Sequence, residues 1–141
     1  MRALLLVSVL VIALAGCAST PNPVDAPVVQ YPPEQVFDMF EAALRYRLVQ
    51  APLRRHSTRY VDLDTEAPTA SFAKRFPEYH MIMRQDLPGY SPPSPWFFIR
   101  LGRATGDHAW IDMHYQGDEL LCTLVRQGDR WVVVAAKPII I

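Results

Sequence analysis

The chain has few of the residues that recognisable catalytic and metal sites are built from. Its only cysteines are Cys17 and Cys122, so a cysteine-rich zinc site cannot be assembled. No glycine-rich phosphate loop, Gly-x-Ser-x-Gly elbow or His-Glu-x-x-His motif occurs. The 14 basic and 14 acidic residues cancel. Because phosphate binding needs clustered Lys and Arg, nucleic acid is not an expected partner. We predict neither a cofactor nor a metal.

The chain also lacks an apolar run long enough to cross a membrane, yet it begins with a short one. Arg2 supplies a positive charge, and residues 3–15 are almost entirely apolar. A membrane-spanning helix needs about 20 such residues. A basic start, a short apolar stretch and small residues before a cut site are typical of a secretory signal peptide. The sequence therefore predicts that residues 1–16 are removed and that the mature chain begins at Cys17.

The tetrad Leu14-Ala15-Gly16-Cys17 resembles the lipobox of bacterial lipoproteins. The resemblance implies that the thiol of Cys17 takes a diacylglycerol and that its new amine is acylated, with chains such as palmitate. Two or more chains hold a protein lastingly on a membrane, whereas one does so only marginally. Residue 18 is Ala rather than Asp, which implies the periplasmic face of the outer membrane. The alternative is an ordinary secreted protein in which Cys17 follows the apolar run by chance.

Proline dominates the segment after the predicted cut. Residues 17–32 favour extended polyproline conformers and would span at most about 50 Å at ~3.1 Å per residue. We interpret them as a tether. The remaining residues, 33–141, suffice for one domain and not two. In that domain Cys122 is a lone thiol within an apolar run, which predicts a buried small side chain.

Hydrophobic periodicity predicts two helices in the first half of the domain. A helix is expected over about 33–49, because apolar side chains recur every four residues at Val36, Phe40, Leu44 and Leu48. A second and shorter helical pattern begins after Pro68 and places Phe72 and Phe76 one turn apart. Short strands are expected at 59–64 and 80–83.

The C-terminal third predicts a sheet. Four runs rich in β-branched and aromatic residues are separated by short polar turns, at 96–101, 108–115, 120–125 and 131–134. Gly128-Asp129 between two of them indicates a type II′ hairpin. The expected fold class is α+β, with the long first helix and the short second helix packed on a curved antiparallel sheet made by this four-strand meander.

This order of elements resembles the cone-shaped fold of the nuclear transport factor 2 (cystatin-like) superfamily, and within it a set of small exported bacterial proteins. The residues that carry the resemblance are 64–76, which include Asp-Thr-Glu-Ala-Pro and Phe-Ala-Lys-Arg-Phe, and 128–134, Gly-Asp-Arg-Trp-Val-Val-Val. It covers about residues 33–136. The superfamily contains cyclases, dehydratases and isomerases as well as non-catalytic binding modules, so the fold alone does not specify a function.

One pair of residues is a candidate for catalysis. Asp112 and His114 are two positions apart on a predicted strand, so their side chains leave the sheet on the same face, which Trp110 shares. A carboxylate and an imidazole beneath an indole could act as an acid–base pair. The simpler interpretation is the solvated face of a half-buried sheet.

Two other segments are candidates for recognition. The proline-rich loop 88–95 carries Tyr90, an aromatic contact on a rigid backbone. Arg54 and Arg55 precede His56 and Arg59 and form a cationic cluster that could meet an anionic ligand or lipid head groups. A solvated connection explains that cluster as well. Asp62 and Asp64 share a strand face, which is weak support for glycosidase or metal chemistry.

Three functions remain open from the sequence. The first is a lipid-anchored, non-enzymatic module that binds an envelope protein or a small apolar ligand between helix and sheet. The second is a small enzyme that uses Asp112 and His114. The third is a structural subunit of an envelope complex. The position of the Asp112–His114 face relative to any cavity discriminates between them, because an acid–base pair needs a pocket for its substrate.

Overall fold

The computed structural model describes residues 27–50, 58–87, 89 and 96–140. Within them, two helices and six strands follow one another along the chain in this order: α1 (Pro33–Gln50), β1 (Arg59–Leu63), α2 (Ala70–Ala73), β2 (Met81–Met83), a 3-10 turn (Arg84–Asp86), β3 (Trp96–Ala104), β4 (His108–Tyr115), β5 (Asp118–Gln127) and β6 (Arg130–Pro138). Each predicted helix and strand is found within a few residues of its expected position.

Helix α1 begins where the sequence predicts. The carbonyl of Pro32 accepts hydrogen bonds from the backbone N–H groups of Gln35 and Val36, at 3.0 and 3.2 Å, and closes the first turn. Pro33 suits that turn because its missing N–H would have no helical partner. The face with four-residue spacing is turned inward, with these side chains buried: Phe37, Met39, Phe40, Ala43, Leu44 and Leu48.

The sheet corrects the predicted fold. Instead of four antiparallel strands it has six, in the order β2-β1-β3-β4-β5-β6, and it is mixed. Strand β1 pairs in parallel with both β2 and β3. The long connections on either side of β2 let the chain return to the same end of the sheet, which parallel pairing requires. Helix on sheet is still roughly α+β, but the expected four-stranded antiparallel, cone-like sheet is wrong.

The last four strands form an antiparallel meander. Asp112 lies opposite Arg100 of β3 and opposite Leu121 of β5. In the β5–β6 turn, Gly128 has a φ of 65° and Asp129 is not among the residues with positive φ, as a type II′ turn requires. The β4–β5 turn differs, because Gln116 and Gly117 both have positive φ, 51° and 85°, as in type I′.

The core lies between α1 and one face of the sheet. We call this the inner face; it carries Phe97, Ile99, Ile111, Met113, Cys122 and Leu124, all at most 1% exposed. Alternation along the strands puts their neighbours on the opposite, outer face. The outer face carries Phe98, Arg100, Asp112, His114, Glu119 and Leu121. The predicted burial of Cys122 is thus confirmed.

The end of the predicted tether contacts the domain. The N–H of Val29 donates to the carbonyl of Ala104 at 2.8 Å. The hydroxyl of Tyr31 donates to the carbonyl of Thr105, and its ring meets Trp131 edge-on at 6.1 Å between centroids. The fold is therefore held from residue 29 onward. The predicted signal peptide and the lipidation site Cys17 lie outside the described residues.

Candidate ligand-binding pocket

A pocket of about 450 Å³ opens where the C-terminal end of α1 meets one end of the sheet. Pockets that hold small molecules have volumes of roughly 300–1,000 Å³. Three elements meet here: the last turn of α1, the β4–β5 turn and the end of β6. The lining residues are Arg47, Met113, Tyr115, Gly117, Asp118, Glu119, Leu120, Pro138, Ile139 and Ile140.

The wall that β4 contributes is apolar and firmly packed. Met113 and Tyr115 are inner-face residues, 1% and 8% exposed. The ring of Tyr115 stacks on that of Phe97 at 4.2 Å between centroids, with the planes inclined by 15°. Such stacking adds about 0.5–1.5 kcal/mol beyond burial alone. The core therefore holds the ring of Tyr115 in place at this wall of the pocket.

The opposite wall comes from the C-terminal residues. The N–H of Ile139 donates to the carbonyl of Glu119 at 2.9 Å, which extends the β5–β6 pairing beyond Pro138. Ile139 therefore lies against the pocket, while Ile140 is 92% exposed. An exposed isoleucine beside an apolar pocket enlarges the surface that a ligand can cover.

Three charged side chains surround the pocket. Arg47 is in the last turn of α1, where a cation is favoured by the helix dipole, and its side chain is 20% exposed. Its Nη2 lies 3.4 Å from Oδ2 of Asp118, whose side chain is 79% exposed. Glu119 directs its carboxylate elsewhere, because its Oε1 lies 3.2 Å from Nε2 of His114.

Cys122 lies near the pocket, but its thiol is not accessible for a reaction. It is fully buried on the inner face. Burial raises the pKa of its thiol to about 11, and the nearby charge of Arg47 opposes that shift. At neutral pH the group is therefore a thiol, whereas nucleophilic attack needs the thiolate. Cys122 acts as a small apolar side chain of the core.

The structure gives Asp112 and His114 separate partners. Both lie on the outer face, as their spacing predicts. Oδ2 of Asp112 accepts from Nη2 of Arg100 at 2.7 Å, and His114 pairs with Glu119. The pocket is lined by Met113 and Tyr115 of the same strand, which point to the opposite face. The lining of this pocket includes neither Asp112 nor His114, so a ligand bound in it would not lie beside this pair.

The other candidate residues are distributed over the molecule. Trp110 is only 4% exposed and its ring stacks on that of His108 at 6.1 Å, so it offers little contact surface. Asp62 is buried and paired with Arg84 rather than with Asp64. Tyr90, Arg54 and Arg55 lie outside the described residues.

Arg59, which the sequence groups with the cationic cluster, belongs to the fold. It is 5% exposed, and its backbone N–H donates to the carbonyl of His80 at 2.8 Å. Its guanidinium carbon lies 5.9 Å from the centre of the Tyr79 ring. It is therefore not available at the surface for a ligand.

Sequence reasoning missed the pocket residues. Arg47 and Ile139 are about 90 positions apart in the chain, and only the sheet order brings them together. One signal was available: Gln116-Gly117 between two apolar runs predicts a tight turn, and the charged Asp118 and Glu119 follow it.

No protein-family model, curated protein or solved structure matches this chain. Among the described residues, no helix is long and apolar enough to span a membrane. Within the same part of the chain, no group of three or more His, Cys, Asp and Glu residues is arranged to hold a metal ion. The lipobox and the resemblance to the nuclear transport factor 2 superfamily stay predictions from the sequence.

Proposed function

We propose that this chain is a lipid-anchored protein of the bacterial envelope whose domain binds a small apolar ligand without catalysis. The observation that carries the binding role is the pocket between the end of α1 and the inner face of the sheet. Its walls are Met113, Tyr115, Leu120 and Ile139, an apolar set with few charges at the rim. Concave, mostly apolar pockets with a few polar groups are the usual form of small-molecule sites.

The anchoring role rests on the sequence Leu14-Ala15-Gly16-Cys17 and on the proline-rich segment after it. Lipid on Cys17 would hold the domain near the periplasmic face of the outer membrane. A ligand pocket at the end of a tether suits capture of apolar molecules close to a bilayer, because such molecules are concentrated there by the hydrophobic effect.

The anchor is tested by metabolic labelling with palmitate in a bacterial host. The native chain should incorporate label and separate with the membranes, whereas Cys17→Ser should remain an unlabelled, uncut precursor. A correctly cut and soluble Cys17→Ser product would contradict the lipoprotein assignment. Mass spectrometry of the N-terminus gives the cut position independently.

The pocket is tested with a neutral apolar probe, N-phenyl-1-naphthylamine, whose fluorescence rises in apolar surroundings. The protein should bind it, and Leu120→Trp should prevent binding because the larger side chain fills the pocket. Leu121→Trp is the matched control, since the adjacent residue lies on the outer face. Equal binding by both variants would show that the probe sits elsewhere. Circular dichroism checks that both variants are folded.

A further inference from the structure

We infer that the pocket at the end of α1 selects an anionic amphiphile, a single apolar chain that ends in a carboxylate or phosphate, with Arg47 as the partner of the anionic head. This inference rests on the proposed function and deepens it by naming the class of ligand. Three features of the pocket support it: the geometry of Arg47, the engagement of the neighbouring acids, and the apolar walls.

Arg47 is oriented toward the pocket and is only loosely paired. Its side chain is four-fifths buried, but its ion pair with Asp118 is 3.4 Å long. Charge-assisted hydrogen bonds between guanidinium and carboxylate are normally about 2.7–2.9 Å. A guanidinium has five N–H donors in a planar fork and can grip a carboxylate or phosphate with two of them. A ligand head group can therefore offer Arg47 better contacts than Asp118 does.

The two acids of the rim do not cancel Arg47 inside the pocket. Asp118 is 79% exposed, so its charge is screened by water. Glu119 is paired with His114 of the outer face. The charge of Arg47, in contrast, reaches the inner face, since it acts on the buried thiol of Cys122. Arg47 is the cation of the pocket lining, and neither acid forms a close pair with it.

The apolar part of the ligand has a matching surface. Met113 and Tyr115 line the pocket from β4, Leu120 lines it from β5, and Ile139 lines it from the residue after β6. A neutral hydrocarbon would bury against these walls but leave the guanidinium with only its long contact to Asp118. A cation of the same length would place its charge near Arg47. An anionic head group is the one that satisfies both parts of the pocket.

The experiment compares three molecules that share a ten-carbon chain and differ in their heads: decanoate, decanol and decyltrimethylammonium. The protein used is residues 17–141 with Cys17→Ser, which carries no lipid. Its binding to each molecule is measured by titration calorimetry below the micellar concentrations. Decanoate should bind at least about tenfold more tightly than decanol, because only its head group forms a charge-assisted hydrogen bond with Arg47. The cation should bind more weakly than either.

Two variants test whether Arg47 causes the preference for decanoate over decanol. Arg47→Met keeps an apolar stem of similar length. It should lower the affinity for decanoate about tenfold and leave the affinity for decanol unchanged. Asp118→Asn removes the competing carboxylate and should raise the affinity for decanoate about two- to threefold. Unchanged decanol binding also shows that the variants are folded and that their pockets are intact.

The outcomes separate the inference from the proposed function. Equal affinity for decanoate and decanol, or an Arg47→Met variant that keeps the preference, overturns the role of Arg47 but leaves an apolar pocket. Tightest binding of the cation overturns the inference and indicates that Asp118 recognises the head group instead. Absence of binding by all three molecules, together with a negative result with the naphthylamine probe, overturns both.

Discussion

The same strands form both faces of the sheet, but different interactions stabilise each face. On the inner face, Phe97, Ile99 and Ile111 are at most 1% exposed and pack against α1. On the outer face, charged side chains pair across neighbouring strands, as Arg100 does with Asp112. One face is held by apolar burial, and the other is kept in contact with water by paired charges.

The difference shows why the pocket and the ion pairs do not coincide. Burial against α1 ends where the helix ends, at Gln50, and the inner face then opens into the pocket at Met113 and Tyr115. The outer face has cross-strand ion pairs that each contribute about 0.2–1 kcal/mol. The pocket therefore lies at the edge of the apolar core, where α1 no longer covers the sheet, rather than among the paired charges.

The largest expected effect distinguishes the two faces at adjacent positions. Phe97→Ala should lower the free energy of unfolding by about 3–5 kcal/mol, because it removes a buried ring from the inner face and leaves a cavity. Phe98→Ala on the outer face, where the ring is only half-buried, should cost about 1–2 kcal/mol. Urea unfolding of both variants measures the difference.

The pair is matched in residue type, strand and chemical change, so strand propensity cancels. Equal costs at the two positions would mean that something covers the outer face as fully as α1 covers the inner one. Unchanged m-values are the control that both variants still unfold in two states.

The elements of this fold could be predicted from the sequence, but the arrangement of its strands could not. Period-four spacing from Val36 to Leu48 identifies α1, because one stripe of a helix must be buried. Strand β1 was expected, yet nothing local indicates that Tyr60 pairs with Ile82 on one side and with Trp96 on the other. Such pairing depends on contacts between residues far apart in sequence.

The candidate site was harder to predict for the same reason. Alternation placed Asp112 and His114 on one face correctly, but not their partners Arg100 and Glu119, which come from neighbouring strands. Arg47 gave no local signal beyond a basic residue near a helix C-terminus, where the helix dipole explains it without a ligand. Its position beside the pocket arises only when β5 and β6 are folded against α1.

The second prediction uses the buried thiol of the inner face. The folded-state pKa of Cys122 is raised to about 11 from an ordinary value of 9.0. Between these pH values the unfolded chain loses the thiol proton and the folded chain keeps it, so stability falls as pH rises. The contribution present below pH 9 and lost by pH 11 is about 2 kcal/mol. In Cys122→Ala, the free energy of unfolding should not include this loss between pH 9 and 11.

Urea unfolding at several pH values from 8 to about 11 measures the slope for both proteins. The variant carries a constant penalty for its lost side chain, so only the difference in slope is informative. Parallel slopes would show that Cys122 is as accessible to water as a group on the outer face. Every other ionisable group is the same in both proteins, so its contribution cancels in the comparison.

The third prediction concerns the most buried acid of the outer face. Asp62 has a side chain 9% exposed, and Nη1 of Arg84 lies 2.5 Å from its Oδ2. Arg84→Met should cost about 1–2 kcal/mol, because the buried carboxylate loses a charged donor. Gln85 limits the loss, since its Nε2 remains 3.4 Å from Oδ1.

A double-mutant cycle separates the pair from the packing of the arginine stem. In the Asp62→Asn background, Arg84→Met should cost less than about 0.5 kcal/mol, since no buried charge is left behind. An equal cost in both backgrounds would mean that Arg84 contributes through its methylene groups and that even this region of the outer face is held by apolar burial.

The smallest effect is expected at His114. Its side chain is 42% exposed and its pairing with Glu119 is open to water, so His114→Ala should change the free energy of unfolding by no more than about 0.5 kcal/mol. The adjacent Met113→Ala is the matched change on the inner face and should cost about 2–5 kcal/mol. A loss above about 2 kcal/mol at His114 would contradict the comparison, because paired charges would then stabilise the sheet as strongly as the core does.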